Sequence, residues 1–286
     1  NSGKTYQAMN ELKKADCGFA VSNATDAARA AADIILTAPG LSVINHAIEQ
    51  ARYTFERMKS YATFRIAETI RIILFMSLSI IFFDFYPITA LMIILLALLN
   101  DLPILAIAYD HTKTNDKPVR WNMKELFTVA SILGLSGVVS SFLLFFLLLE
   151  HGVDENIIQT LIFLKLLIAG HSTIFVTRTN GWFWNSPSPS PLLLMAILGT
   201  EIIGTLIAVN GLFITAISWQ YALYIWAYAL SWFIFNNALK IGVYKLLDSR
   251  KDIEYELVEN CETNYLSEKL KDCDAITLRN IDFNKE

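Results

Sequence analysis

Long apolar stretches separated by short polar segments dominate the pattern of this chain. Six of them stand out, near residues 61–83, 87–108, 126–149, 157–177, 192–217 and 220–243. Each is about 20 residues long, which lets a helix cross a hydrocarbon core of about 30 Å. Helices are expected because backbone amides in lipid must be satisfied within their own segment. The pattern predicts an all-α membrane protein whose six transmembrane helices occupy residues 61–247.

Residues 1–41 have a different pattern. Two short apolar runs, 18–21 and 34–36, are typical of buried strands, and Thr25 can cap an Ala-rich helix between them. Pro39 and Gly40 then interrupt the chain before a helical segment, 42–60, that leads to the first apolar stretch. Two strands and one helix are too small for a stable independent domain. We therefore expect 1–41 to be the remnant of a larger α/β domain and 42–60 to be a stalk helix.

The composition excludes an ordinary soluble protein. Hydrophobic residues make up 54% of the 286 residues and charged residues only 17%, so lipid must solvate part of the chain. The three cysteines have no metal-ligand spacing, and no pattern indicates nucleic-acid binding. The net charge is −4. Acidic residues outnumber basic ones from Asp248 onward, which predicts an acidic cytoplasmic tail over 248–286.

Lysine and arginine are confined to alternate connections between the apolar stretches. They flank the first stretch on its N-terminal side, follow the second and fourth, and end the sixth, whereas 84–86, 150–156 and 218–219 hold none. Cytoplasmic loops carry an excess of these residues. Both termini are therefore expected to be cytoplasmic.

Few ionisable residues lie deep within the apolar stretches, away from their ends, and each costs roughly 2.5–3.5 kcal/mol near the middle of a span. They are Glu68, Arg71, Asp101, Lys165, His171 and Glu201. Asp101 follows Asn100 and precedes Pro103, which cannot donate a hydrogen bond to the carbonyl of Leu99. We expect a helix break there that offers Asn100 and Asp101 to an ion, although a simple proline kink would give the same sequence.

Arg71 lies at a depth comparable to that of Asp101, and Glu68 shares its helical face. An Asp101–Arg71 pair would bind and release a proton as its surroundings change, while a purely structural ion pair is the alternative. Calcium needs six to eight oxygen ligands. The small number of carboxylates therefore favours a proton, and neither a metal site nor a catalytic residue is predicted. Lys165, His171 and Glu201 are expected to make interhelical hydrogen bonds or to extend toward the membrane surface, with a role in transport as the alternative.

Several segments resemble known sequences. Lys13 to Val21, Ala24 to Arg29 and Ala31 to Leu36 resemble the end of the phosphorylation domain of P-type ATPases. Thr69 to Ile72 is similar to the fifth membrane helix of the plasma-membrane proton-pumping (type III) group. Two further segments are similar to the sixth membrane helix of that group, Leu99 to Asp101 and Ala106 to Asp110.

The resemblance implies that the six spans are the last six of ten, in a C-terminal fragment. Asp101 would accept and release the transported proton, and Arg71 would expel it and block its return. The complete pump would use ATP and Mg²⁺. This chain lacks the phosphorylated Asp-Lys-Thr-Gly motif, and Lys4 and Ala8 stand where two aspartates near magnesium are expected, so we expect no cofactor to be bound by this chain alone.

These observations predict the membrane portion of an ATP-driven proton-exporting pump in the plasma membrane. Its partners would be the lipid bilayer, the transported proton and the N-terminal pump domains, supplied in cis or in trans. Two alternatives stay open: an ATP-independent proton pathway or carrier, and an inactive remnant of a pump.

Overall fold

A computed structural model describes residues 10–15, 17–21, 23–37, 42–113 and 121–270. Several predicted features lie outside these residues. They are the segment containing Lys4 and Ala8, the interruption at Pro39 and Gly40, and the part of the acidic tail beyond Leu270.

The N-terminal segment forms a small β–α–β unit. Strand β1 (Phe19–Ala20) and strand β2 (Ile34–Ile35) pair in parallel, and helix α1 (Asp26–Ala31) connects them. The side chain of Thr25 caps α1 by accepting a hydrogen bond from the amide of Ala28 at 3.4 Å, as a threonine before an Ala-rich segment should. The two strands and the helix between them are present as predicted.

Helix α2 (Ser42–Phe83) joins the predicted stalk to the predicted first span without a break. Its 42 residues span about 63 Å at 1.5 Å per residue, roughly twice the thickness of a hydrocarbon core. The N-terminal part of α2 therefore projects beyond any membrane that its apolar C-terminal part crosses. We call the side of the bundle from which it projects the stalk end.

Five further helices complete the bundle: α3 (Ala90–Ile107), α4 (Met123–Glu150), α5 (Glu155–Thr177), α6 (Pro191–Asn210) and α7 (Trp219–Leu270). Among the described residues, α2 to α6 are long and apolar enough to cross a membrane. The sixth predicted span lies in the N-terminal part of α7. Its many Trp, Tyr and Asn side chains make it less apolar than the other five.

The helix bounds differ from the apolar stretches in two places. The fifth stretch was expected to run to residue 217, but α6 ends at Asn210 because Gly211 adopts a left-handed conformation with φ of 68°, a common helix stop. Helix α7 continues beyond the sixth stretch into the predicted acidic tail, as far as Leu270. Hydropathy marks where a segment stops being apolar, which need not be where its helix ends.

Helix α5 lies at the centre of the bundle and packs against α2, α3, α4, α6 and α7. Its side chains are buried around the whole circumference, whereas α3, α4 and α6 each leave an apolar face exposed. Such all-round burial is what a central helix requires. Because α5 touches every neighbour, its long polar side chains face other helices, as Lys165 faces α4 and His171 faces α6.

Helix α7 runs along α5 for the full length of the bundle. Near the start of α5, Thr160 donates a hydrogen bond to the carbonyl of Thr215, just before α7. At mid-length, Leu164 and Ile168 of α5 pack in one apolar cluster with Ile225 of α7, and Tyr228 of α7 donates to the carbonyl of Ser140 on α4 at 2.6 Å. At the stalk end, Lys240 reaches the last turn of α5.

Asp110 joins four elements at the stalk end. It follows α3 and is almost fully buried. Its carboxylate pairs with Arg178 after α5 at 2.5 Å and accepts a hydrogen bond from the amide of Ser190, the N-cap of α6, at 2.9 Å. Its carbonyl accepts from Arg57 on α2 at 2.8 Å. One residue thus fixes the stalk to the ends of three other helices.

Replacing Asp110 with alanine should leave the buried guanidinium of Arg178 without its carboxylate partner. The free energy of unfolding should fall by about 3–5 kcal/mol, the usual loss when one partner of a buried ion pair is removed. Denaturation of the protein in lipid micelles would measure it. Glu150→Ala is the control, because Glu150 is exposed at the end of α4 and its loss should cost less than about 0.5 kcal/mol. Equal losses in both variants would contradict this account.

Candidate functional site

Four polar side chains from three helices meet inside the bundle. Arg71 and Glu68 lie one turn apart on α2 and form an ion pair of 3.3 Å. Asn100 of α3 donates from Nδ2 to the same Glu68 oxygen, Oε1, at 3.2 Å, and Arg71 donates from Nη1 to Oγ1 of Thr173 on α5 at 3.3 Å. Glu68, Arg71 and Asn100 are each at most 5% exposed. We call these four residues the central cluster.

Two glycines make room for the central cluster. A Cβ atom on Gly170 of α5 would lie 2.9 Å from Oε1 of Glu68, and one on Gly137 of α4 would lie 2.5 Å from Cδ of Arg71. Real Cβ atoms do not approach other atoms so closely. The α2 side chains therefore reach the interior only because α4 and α5 carry no side chain at these two positions.

The predicted pair between Asp101 and Arg71 is not formed. Asp101 is exposed, and it has no hydrogen bond or ion pair within the described ranges. Successive residues on a helix are 100° apart, so when Asn100 points into the cluster, Asp101 must point to its flank. Glu68, which lies on the same helical face as Arg71, is the carboxylate that pairs with it instead.

The helix break predicted at Pro103 is also not formed, because α3 has no unwound turn there. Pro103 is buried inside α3, and the helix continues four residues beyond it to Ile107. The missing amide still leaves the carbonyl of Leu99 without its helical donor. The backbone is therefore weakened next to Asn100 without being opened.

Lys165 of α5 has a complete set of neutral ligands. Its ammonium donates to Oγ of Ser140 at 2.7 Å, to Oγ of Ser141 at 2.6 Å and to the carbonyl of Gly137 at 3.3 Å, all on α4. This agrees with the interhelical hydrogen bonds expected for Lys165. The adjacent serines in an otherwise apolar helix were the signal that could have identified its partner.

Lys240 was not predicted as a site residue, yet it is buried at the stalk end of α7. Its ammonium donates to the carbonyls of Val176, Thr179 and Gly181 at 2.8, 2.6 and 2.6 Å. These carbonyls lie at the end of α5, where helical carbonyls lack internal donors. Lys240 therefore caps the central helix. Its position near the end of an apolar stretch gave no hint of this, because end lysines usually extend to water.

The remaining predicted pair brings two helices together. His171 of α5 and Glu201 of α6 face each other, with 3.7 Å between Nδ1 and Oε1. The part of the chain that the structure describes contains no group of three or more His, Cys, Asp or Glu side chains placed to hold a metal ion.

Apolar helices around paired charges are the architecture of a multi-pass membrane protein. No family model matches the chain. It is similar to the protein named "Putative cation-transporting ATPase MJ1226" of Methanocaldococcus jannaschii, with 54% identity over 239 residues. The match covers 82% of this chain and 29% of that relative, so the chain spans less than a third of its length. The similarity supports a fragment like the membrane part of a cation-transporting ATPase, and membership of the proton-pumping group stays a prediction.

Gly137→Ala should disturb the central cluster. The new methyl group would collide with the side chain of Arg71, whose nearest atom lies 2.5 Å away, and such overpacking costs about 1–3 kcal/mol. Chemical denaturation in lipid micelles would measure the loss. Gly199→Ala on α6 is the matched control, because a Cβ there meets no atom within 4 Å and alanine favours a helix. The account is wrong if Gly137→Ala is as stable as this control.

Proposed function

We propose that this chain is the membrane portion of an ATP-driven cation pump and that the transported cation is a proton. The observation that carries the proposal is the buried central cluster, an arginine, a carboxylate and an amide contributed by α2 and α3. Intramembrane ionisable groups of this kind mark ion pathways. The similarity to a protein named as a cation-transporting ATPase supports the same class.

The ligands favour a proton over a metal ion. Calcium requires six to eight oxygens, but in the central cluster one carboxylate oxygen of Glu68 is already engaged by Arg71 and Asn100. The other oxygen, Oε2, is buried without a hydrogen-bond partner in the described part of the chain. A single free carboxylate oxygen suits a proton and is a poor substitute for a hydration shell.

Asp101 is proposed as the residue that binds the transported proton, with Arg71 as the cation that expels it. Asp101 lies on the exposed face of α3 among apolar side chains that are also uncovered, including Ile94, Leu98 and Leu105. A carboxylate on a lipid-facing surface is costly. We infer that further helices of the complete pump cover this face, supplied in cis or in trans, and that its other domains bind ATP and Mg²⁺.

The location follows from the same proposal. The chain lies in the plasma membrane, its six spans place both ends in the cytoplasm, and α7 supplies the sixth span. Support comes from the course of α7, which follows α5 from one end of the bundle to the other. The lysines and arginines at the stalk end agree with a cytoplasmic position for that end.

Native cysteines offer a test of the sixth span. Cys17 is exposed in the N-terminal unit, and Cys261 lies beyond the sixth apolar stretch. In sealed vesicles, variants that keep only one of these cysteines should both react with a membrane-impermeant maleimide from the same side. A cysteine at His151, in the connection between α4 and α5, should react only from the other side. Five spans would put Cys17 and Cys261 on opposite sides.

Asp101→Asn tests the proton site. In vesicles containing this chain together with the missing pump portions, ATP-driven acidification should fall to the rate of empty vesicles, because an amide cannot take up and release a proton at neutral pH. Glu150→Gln is the matched control, since this carboxylate is exposed at the end of α4, and it should transport normally. Normal pumping by Asp101→Asn would refute the assignment.

The same vesicles separate the alternatives. An Asp101-dependent proton leak in the absence of ATP, driven by an imposed pH gradient and present with this chain alone, would support an ATP-independent pathway. A complete lack of transport with all portions present and folded would support an inactive remnant.

A further inference from the structure

A polar pocket of about 300 Å³ lies at the stalk end of the bundle. Helix α2 forms one wall, the segment after α3 forms a second, and the loop between α5 and α6 forms the third. Lys59, Lys113 and Arg178 line it together with Glu56. Its volume is at the lower end of the range for small-molecule sites, about 300–1,000 Å³. None of the described residues that line it belongs to the central cluster.

The guanidinium of Arg178 is fixed in the wall of this pocket. Its side chain is only 3% exposed. Nε donates to Asp110, and Nη2 donates to the carbonyls of His111 and Pro187. Nη1 is buried and makes no hydrogen bond within the described ranges. Because a buried nitrogen of this kind requires an acceptor, Arg178 offers a donor whose position is already set.

Thr112 supplies a second donor in the same pocket. Its Oγ1 is buried without a hydrogen bond to any described residue. Lys113 comes next in the chain, is exposed, and takes part in none of the ion pairs of the described residues. A guanidinium nitrogen, a hydroxyl and an ammonium group are donors that bind phosphate oxygens. These side chains therefore indicate a phosphate group as the ligand.

The charges of the pocket favour a ligand that carries both signs. The cations of Arg178 and Lys59 each face a carboxylate on another element. This leaves the cation of Lys113 and the carboxylate of Glu56, which lies one turn before Lys59 on α2. A simple anion would be attracted by Lys113 and repelled by Glu56. A phosphate group joined to an ammonium group satisfies both side chains.

The pocket lies at the level where the spans end. Lys59 comes just before the first predicted span, and Arg178 directly follows the last residue of α5. The same loop carries Trp182 and Trp184, whose rings stack at 4.7 Å, and tryptophan is enriched at membrane surfaces. Basic pockets between helices on the cytoplasmic side hold lipid headgroups in other membrane proteins. We therefore expect the ligand to come from the bilayer itself.

We propose that this pocket binds a phosphate group linked to a primary ammonium group, as in the headgroup of an aminophospholipid. The phosphate oxygens accept hydrogen bonds from Arg178, Thr112 and Lys113, and the ammonium group donates to Glu56. A bound headgroup joins α2 to the ends of α3 and α5. The inference needs neither ATP nor transport and does not depend on the proposed pump.

Lipid binding to the purified chain in detergent micelles tests the site. Native mass spectrometry would give the Kd of short-chain phosphatidylethanolamine, which carries the ammonium group, and of phosphatidylglycerol, which lacks it. Wild type should bind phosphatidylethanolamine about threefold more tightly, the usual contribution of one partly exposed ion pair. Water-soluble phosphoethanolamine should bind more weakly than the lipid. Equally tight binding of the soluble compound would overturn a lipid as the source of the ligand.

Thr112→Val tests the phosphate contact. The hydroxyl has no partner in the described part of the chain, so the thermal unfolding temperature, Tm, should not fall before lipid is added. The Kd of both lipids should rise about threefold to tenfold, because each loses one hydrogen bond to its phosphate. Lys113→Gln should weaken both lipids in the same way. Lys245→Gln is the matched control, since this exposed lysine of α7 lies outside the pocket, and both Kd values should stay unchanged.

Glu56→Gln separates the two parts of the headgroup. Phosphatidylethanolamine should bind about threefold more weakly, because its ammonium group loses an ionic partner, whereas phosphatidylglycerol should bind more tightly. Glu150→Gln, at the opposite end of the bundle, should change neither Kd. The proposal is overturned if Glu56→Gln shifts both Kd values in one direction or leaves them unchanged. It is also overturned if Thr112→Val and Lys113→Gln bind both lipids like wild type. Should Thr112→Val fail to fold, Lys113→Gln and Glu56→Gln decide, because neither side chain is buried.

Discussion

The buried charges of this bundle are held by contacts with neighbouring helices, and most of those contacts involve α5. Arg71 is anchored by Thr173, Lys165 by hydroxyls of α4, and the end of α5 by Lys240. A buried charge without such a partner would cost several kcal/mol. The positions of the surrounding helices around α5 are therefore set by polar contacts, while their apolar surfaces fill the remaining space. The hydrophobic effect contributes little to the association of helices in lipid. These few polar contacts therefore matter more for helix packing than they would in water.

Close approach is the second requirement, and small residues meet it. Gly137 and Gly170 admit the long side chains of Arg71 and Glu68, and the carbonyl of Gly137 also accepts from Lys165. The same residue therefore contacts both buried cations. This places the binding of Arg71 and the binding of Lys165 on one segment of α4, so a shift of that segment affects both. Small residues at helix interfaces are common in membrane proteins for this reason.

The sequence predicts the five most apolar helices well, because length and hydropathy are enough to recognise them. It also predicts a comparable depth for Arg71 and Asp101, and their neighbours Glu68 and Asn100 are in contact. It fails on rotation about the helix axis, which decides that Asn100 rather than Asp101 enters the cluster. Depth depends on composition along the chain, whereas rotation depends on which face the other helices cover. The end of α6 was missed for a local reason, the left-handed conformation at Gly211.

The rotation of α3 bears on the proposed function. Asn100 fills the polar position beside Glu68, and Asp101 is only one residue away, on a face that the described helices leave uncovered. The missing hydrogen bond between Pro103 and Leu99 lies in the same turn, where the helix resists twisting least. A carboxylate at the edge of a cation-containing cluster, next to a weakened turn, can change its distance from Arg71 with a small local movement. In the proposed pump, such a movement is how Arg71 would act on Asp101.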